Sequence, residues 1–133
     1  MRKIEHIGIA VNDLKAAGDL YEKLLGSPAY KTEEVASEGV RTAFFRSGPN
    51  KVELLEATSP DSPIAKYLEK RGEGIHHIAF DVEDIRSEMA RLRAEGFTVL
   101  NEEPKKGADN KLVAFLHPKG AHGVLVELCQ DMG

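Results

Sequence analysis

Two stretches of the chain share one alternation of apolar residues with small or polar ones. Residues 6–14 read HIGIAVNDL and residues 77–85 read HIAFDVEDI. Because successive side chains of a strand point to opposite faces, the bulky apolar residues fall on one face and the histidine on the other. An aspartate follows, and aspartate favours the N-cap position of a helix. The pattern predicts a strand and then a helix in each stretch.

The two stretches are related by an internal repeat. His6 aligns with His77, an offset of 71 residues. A repeat of this length indicates two copies of one structural module. We therefore predict a single domain over residues 1–133, made of two modules, about 1–58 and 74–133, which are joined by a short helical linker.

The apolar pattern continues as β–α–β–β–β in each module. In the first module it predicts a helix that ends near Gly26 and later strands around residues 40–46 and 51–57. In the second module it predicts a helix over residues 85 to about 94 and strands over 75–82, 97–100, 112–117 and 124–129. The expected result is a mixed sheet with the module helices on one face. Small residues beside the histidine leave room for a pocket on the other.

Composition narrows the function classes. The chain is 41% hydrophobic and 30% charged, with a formal net charge of -4. That balance is typical of a globular domain and speaks against a nucleic-acid surface, which needs a basic patch. No apolar run approaches the ~20 residues that cross a bilayer, so no membrane partner is expected. Cys129 is the only cysteine, which excludes an internal disulfide and favours the reducing cytoplasm.

A second pair of repeated residues suggests a metal site. Glu53 in KVELLEA aligns with Glu127 in LVELCQ, at an offset of 74. A carboxylate in mid-strand between aliphatic residues is costly unless it is exposed or paired. With His6 and His77, the two glutamates form a set of two imidazoles and two carboxylates that suits a divalent Co, Mn, Ni, Zn or Fe ion. The sequence thus predicts an α+β fold: two tandem βαβββ modules form a curved mixed β-sheet with a metal site on its concave face and helices on the outside.

With these residues in view, the chain resembles the methylmalonyl-CoA epimerase family of the vicinal oxygen chelate (glyoxalase/bleomycin resistance) superfamily. The resemblance covers nearly the whole chain and is carried by HIGIAVNDL, EGVRTAFF, KVELLEATSPDSPIAKYLEKRGEGIHHIAFDVEDI, FLHPKG and GVLVEL. It implies metal ligands at His6, Glu53, His77 and Glu127; at the second position the family carries Gln or Glu. It also implies a divalent cofactor, Co2+ first with Mn2+, Ni2+ or Zn2+ as alternatives, a small-molecule acyl-CoA substrate and a homodimer.

The reaction that the resemblance implies is proton removal and return at C2 of methylmalonyl-CoA. A metal that chelates the thioester and carboxylate oxygens would stabilise the enolate. Inversion then needs two acid–base groups, and Glu127 is one candidate. In the family the second is a glutamate just before the Gly-Val of the second strand. This chain has Glu38 there, whereas several relatives carry it one position earlier, where this chain has Ser37.

Some alternatives stay open. A glyoxalase I-like isomerase acting on a glutathione hemithioacetal would use the same four ligands, although the stretch from DSPIAKYL to HHIAF speaks against it. An extradiol dioxygenase would need only two histidines and one carboxylate. A non-catalytic small-molecule-binding member would not need the repeated ligands. The phosphates of CoA also need cationic partners, for which Arg41, Lys105, Lys106 and Lys111 are candidates.

Overall fold

The computed structural model describes all of residues 1–133 and confirms the β–α–β–β–β order in both modules. The first module contains β1 (Lys3–Ala10), α1 (Leu14–Leu25), β2 (Lys31–Val35), β3 (Val40–Ser47) and β4 (Asn50–Ala57). The linker forms α2 (Pro63–Arg71). The second module contains β5 (Gly74–Asp81), α3 (Ile85–Ala94), β6 (Lys105–Lys106), β7 (Lys111–Leu116) and β8 (Val126–Asp131). None of these helices is long and apolar enough to cross a membrane.

The chain forms two compact units. The first unit comprises His6–His76, and the second comprises Met1–Glu5 together with His77–Gly133. The linker helix therefore lies in the first unit, and the first five residues lie in the second. Arg2 illustrates the latter point, since its guanidinium contacts the Asp81 carboxylate at 2.8 Å.

In the first unit the strand order is β2-β3-β4-β1, with β1 parallel to β4 and the other pairs antiparallel. The helix α1 packs on one face of these strands, as predicted from the alternation. There the core consists of Val11, Ala43, Phe45 and Leu54, with Leu14, Ala17, Tyr21 and Leu25 of α1 packed against it. The apolar side of an amphipathic helix is thus buried on the bulky face of the strands.

The linker helix packs on the opposite face of the same strands. Its Ile64 joins a buried cluster with Ala10, Val40 and Leu55. The helix begins at an N-cap, Ser62, whose hydroxyl accepts the Ile64 N–H at 3.1 Å. The face that carries His6 was expected to be open, but at Ala10 it is packed, because the apolar side of α2 needs a partner.

In the second unit the order is β5-β8-β7-β6, with β5 parallel to β8. The helix α3 has the predicted bounds and covers the bulky face of these strands. Its core consists of Val82, Ile85, Met89, Leu92, Ala114, Leu116 and Leu128. The opposite face has a smaller cluster of Ala79, Val113 and Cys129.

The strand predicted over residues 97–100 was wrong in extent. Only an isolated bridge joins Val99 to Leu116, and pairing with β7 resumes later, at β6. The reason is local: the Asn101 side chain accepts the Phe115 N–H at 2.8 Å, a donor that a continued ladder would use. The short charged strand β2, which reads KTEEV, lies at the edge of its sheet and was not located from the sequence.

Both module helices begin with two side-chain caps. Asp13 accepts the Lys15 and Ala16 N–H groups, and Asp84 accepts the Ser87 N–H. In addition, the Glu56 carboxylate accepts the Leu14 N–H and the Gln130 amide oxygen accepts the Ile85 N–H, each at 2.8 Å. The aspartate caps follow from the sequence pattern. Glu56 and Gln130 reach the helices from the last strand of each module, at the same offset as the two glutamates of the site.

Candidate metal centre

The first unit brings His6 on β1 against Glu53 on β4. The His6 Nε2 lies 3.3 Å from the Glu53 Oε1, and the two side chains are only 6% and 7% exposed. The strand register places Glu53 opposite Gly8 and His6 opposite Lys51. With no side chain at Gly8, the face beside Glu53 is free for the carboxylate to reach back toward His6.

A phenylalanine forms the wall of this pair. Phe44 is the register partner of Glu53 across β3 and β4, and it is fully buried. Its ring lies edge-to-face to the His6 imidazole, with the centroids 6.5 Å apart and an interplanar angle of 88°. Such a contact limits the orientations that the imidazole can take.

The second unit repeats the arrangement. The His77 Nε2 lies 3.1 Å from the Glu127 Oε1, with side chains 4% and 8% exposed. Phe115 is the register partner of Glu127, and its ring lies 6.4 Å from that of His77 at 85°. Ala79 stands opposite Glu127, as Gly8 stands opposite Glu53. Each unit thus places a histidine, a glutamate and a phenylalanine in the same relation.

The geometry of each pair fits two ligands of one divalent ion. Ligands about 2.0–2.2 Å from an ion and at right angles to each other lie about 3 Å apart, close to the 3.1 and 3.3 Å seen here. Burial adds to the fit, because a buried carboxylate needs a cationic partner. His77 and Glu127 are among the buried side chains of metal-ligand type in this protein. All four predicted ligands therefore have partners and surroundings that could hold a metal.

Glu38 lies outside these pairs. It ends a single 3-10 turn, Ala36–Glu38, between β2 and β3, and it is half-buried. The following Gly39 has a left-handed φ of 65°, a conformation that glycine adopts without steric cost. Because Glu38 is not in a strand, strand alternation does not decide where its side chain points. The shift of one position relative to the family pattern therefore does not exclude it.

The two phenylalanines are the site residues that were missed. They have the same offset as the histidines, 71 residues, so aligning TAFF (42–45) with VAFL (113–116) would have paired them. Phenylalanine in a strand is common in any core. The alignment alone would not have shown that these rings lie against the imidazoles.

Other residues of nucleophile or metal-ligand type have structural roles. Cys129 is fully buried, and burial raises the pKa of its thiol well above its usual range, with the Glu127 charge as a second cause. A neutral thiol is a poor nucleophile and metal ligand, so Cys129 fills space in the core. His76 packs edge-on against Tyr67 at 4.9 Å. His117 accepts the Lys119 N–H at its Nδ1 and so orders the turn after β7.

Comparison with known proteins gives the family. Residues 5–115 match the model of the Glyoxalase/Bleomycin resistance protein/Dioxygenase superfamily. The chain is 44% identical to the ethylmalonyl-CoA/methylmalonyl-CoA epimerase of Cereibacter sphaeroides over 96% of this chain and 97% of that protein. It is 40% identical to the mitochondrial methylmalonyl-CoA epimerase of Homo sapiens over 96% of this chain and 73% of the human protein.

Solved structures agree. A methylmalonyl-CoA epimerase in complex with methylmalonyl-CoA and NH4+ superimposes with a TM-score of 0.95 at 39% identity, covering 100% of this chain and 96% of that chain. This likeness confirms the predicted α+β fold, and the named relatives, as epimerases, are isomerases. The chain therefore belongs to the Glyoxalase/Bleomycin resistance protein/Dioxygenase superfamily and, within it, to the family of methylmalonyl-CoA epimerases.

Proposed function

We propose that this protein interconverts the R and S forms of methylmalonyl-CoA by removing and returning the proton at C2. The proposal is supported by relatives and a solved neighbour that carry this activity in their names and cover nearly the whole chain. The observation that carries it is the pair of buried His–Glu contacts at repeat-related positions. A glyoxalase-like isomerase would use similar ligands, so the substrate is the feature that an experiment has to test.

We propose that His6, Glu53, His77 and Glu127 hold one divalent ion. Co2+ is the first choice, with Mn2+, Ni2+ and Zn2+ as alternatives, as the family resemblance implies; a donor set of imidazoles and carboxylates without thiolate is compatible with all four ions. When bound, the ion supplies positive charge that stabilises the negative charge left when C2 loses its proton. Two neutral imidazoles and two carboxylates balance the charge of the ion, so its burial is not opposed by excess charge.

Two glutamates are proposed as the acid–base groups. Glu127 takes the proton from one face of C2, and Glu38 returns one to the other. Inversion needs a donor and an acceptor on opposite faces, and carboxylates serve both roles. Burial of Glu127 beside Phe115 keeps water from competing for the proton. We also propose a cytoplasmic homodimer, in keeping with the family resemblance and the single cysteine.

Deuterium uptake at C2 tests this function. Purified protein is incubated in heavy water with methylmalonyl-CoA of one configuration, before and after chelation and with Co2+ restored. We expect exchange together with loss of chiral purity, both lost on chelation and restored by the ion. Absence of exchange from folded, metal-loaded protein would remove the epimerase proposal, and a glutathione hemithioacetal would then be the next substrate to test.

The Glu38→Gln variant serves as a second arm of the same experiment. With one base left, substrate of the configuration that Glu127 deprotonates should still take up deuterium but should not invert. If inversion and exchange fall together or not at all, Glu38 is not the second base. Combining Ser37→Glu with Glu38→Ser moves the carboxylate to the position used by several relatives. The rate of inversion of this double variant tests which of the two positions supports proton return.

A further inference from the structure

A row of cations lies beside the His6–Glu53 pair on the same face of the first unit. In the strand register His6 stands opposite Lys51, and Lys51 stands opposite Arg46. Directly paired residues of neighbouring strands share a face. The next row contains Glu53 and Phe44, and Lys31 of β2 is the partner of Phe44. Three cationic side chains, those of Arg46, Lys51 and Lys31, thus lie on the face that carries His6 and Glu53.

Two of these cations are direct neighbours in the sheet. Arg46 and Lys51 are direct partners on antiparallel strands, and like charges in that relation destabilise strand pairing. The second module has no such pair. At the repeat-equivalent positions, at the offsets of 71 and 74 found for the ligands, it has His117 and Leu125, which lie in the connection between β7 and β8.

The structure holds one of these cations at the rim of the site. The Arg46 guanidinium lies 4.1 Å above the ring centroid of Tyr30. The Tyr30 ring in turn lies 6.0 Å from that of Phe44, which contacts His6. An arginine stacked on a ring keeps its N–H donors directed outward in a fixed fork, which suits phosphate. Lys31 is 3.4 Å from Glu33, which fixes its position on the same face.

Two of the cations named from the sequence, Arg41 and Lys111, fit this role less well. Arg41 is an odd number of residues away from Arg46 on β3, so its side chain points to the opposite face, on which α1 packs. It contacts Glu34 and Glu56. Lys111 is buried and lies 3.5 Å from Asp131. Of that group, Lys105 lies near the candidate centre, with its Nζ 5.9 Å from the Phe115 ring.

We propose that Arg46, Lys51 and Lys31 bind the phosphate groups of the CoA part of the substrate. This inference rests on the proposed function and names the residues that recognise the substrate tail. The pantetheine arm separates the thioester from the phosphates, so the phosphates have to bind away from the reacting carbon. Because strands are about 4.8 Å apart, Arg46 lies two strands, roughly 10 Å, from β1.

The test compares two substrates with two double variants. Arg46→Gln with Lys51→Gln removes two cations of the row, and Lys15→Gln with Lys23→Gln removes two from α1, on the opposite face. For methylmalonyl-CoA we expect the first variant to raise KM about tenfold or more, with kcat within about twofold. For methylmalonyl-pantetheine, which has no phosphates, both variants should match the unmodified protein. The unfolding midpoint of the first variant should be unchanged or raised.

The outcomes separate this inference from the proposed function. If the unmodified protein exchanges the C2 proton of both substrates but the first variant keeps its KM for methylmalonyl-CoA, the inference is overturned. An equal rise of KM for both substrates would also overturn it, since the effect would not depend on phosphate. If the unmodified protein exchanges neither substrate, the proposed function fails. Calorimetric titration with CoA alone then tests the inference by itself. Weaker binding of CoA by the first variant would support the role of these cations, and an unchanged Kd would overturn it.

Discussion

The two modules have the same ligand geometry but different surroundings. In both, a histidine on the first strand contacts a glutamate on the last strand at 3.1–3.3 Å, and the register partner of that glutamate is a phenylalanine. One row away, the first module has Arg46 and Lys51 where the second has His117 and Leu125. The His–Glu–Phe arrangement thus belongs to the duplicated fold, whereas the pair Arg46 and Lys51 belongs to one copy.

The modules also differ in the turn that precedes the glutamate. Two residues join β3 to β4, and nine residues, 117–125, join β7 to β8 and include a single 3-10 turn. The offset changes from 71 at Phe44 and Phe115 to 74 at the glutamates, so the three extra residues lie in this connection. Had an odd number of residues entered the strand itself, Glu127 would point to the opposite face. The longer turn preserves the register.

Substitution of the two site glutamates should change the rate of C2 deuterium exchange to very different extents, and this difference is the greatest that we expect. For substrate of the configuration that Glu127 deprotonates, Glu127→Gln should lower the rate of C2 deuterium exchange by about 10²–10⁴-fold, because an amide cannot accept the proton. Glu53→Gln should keep it within about tenfold, because the amide still offers an oxygen ligand and the proposed reaction does not use Glu53 as a base. Exchange rates and bound metal are measured for both. Equal losses would show that the two modules contribute the same chemistry.

A smaller effect concerns the two phenylalanines. Phe44→Ala should lower the free energy of unfolding by about 3–5 kcal/mol, since the ring is fully buried. Phe115→Ala should cost less, because that ring is half-buried. Urea unfolding of both variants measures the difference, and Phe→Leu at each position is the matched control. A larger loss at Phe115 would contradict the view that the first wall is the more tightly packed.

The smallest effect concerns the helix caps that the last strands supply. Gln130→Ala should lower the free energy of unfolding by about 1 kcal/mol through loss of the Ile85 cap. Glu56→Ala should cost somewhat more, because its carboxylate also lies 3.1 Å from the Arg41 guanidinium. Glu56→Gln keeps the acceptor and should cost only a few tenths of a kcal/mol, as exposed ion pairs contribute little. Thermal unfolding of the three variants would reveal a reversed order.

Local patterns and the repeat are enough to predict several features of this protein. The bounds of α3, the aspartate caps and the repeated histidines and glutamates all follow from alternation, helical period and the offsets of 71 and 74. Each of these is a relation along the chain. The pairing of His6 with Glu53 could also be expected from the sequence, because a carboxylate in mid-strand needs a partner and the repeat supplies a histidine for each glutamate.

Contacts between strands and helices that are distant in sequence can be read only from the tertiary structure. The alternation of KVELLEA places Lys51 and Glu53 on one face, but only the register shows that Arg46 stands opposite Lys51. Similarly, no local signal shows that Asn101 takes the Phe115 N–H and ends the ladder, or that Ile64 covers Ala10. Register and packing depend on many contacts across the sheet at once, so they cannot be read from the order of residues along one strand.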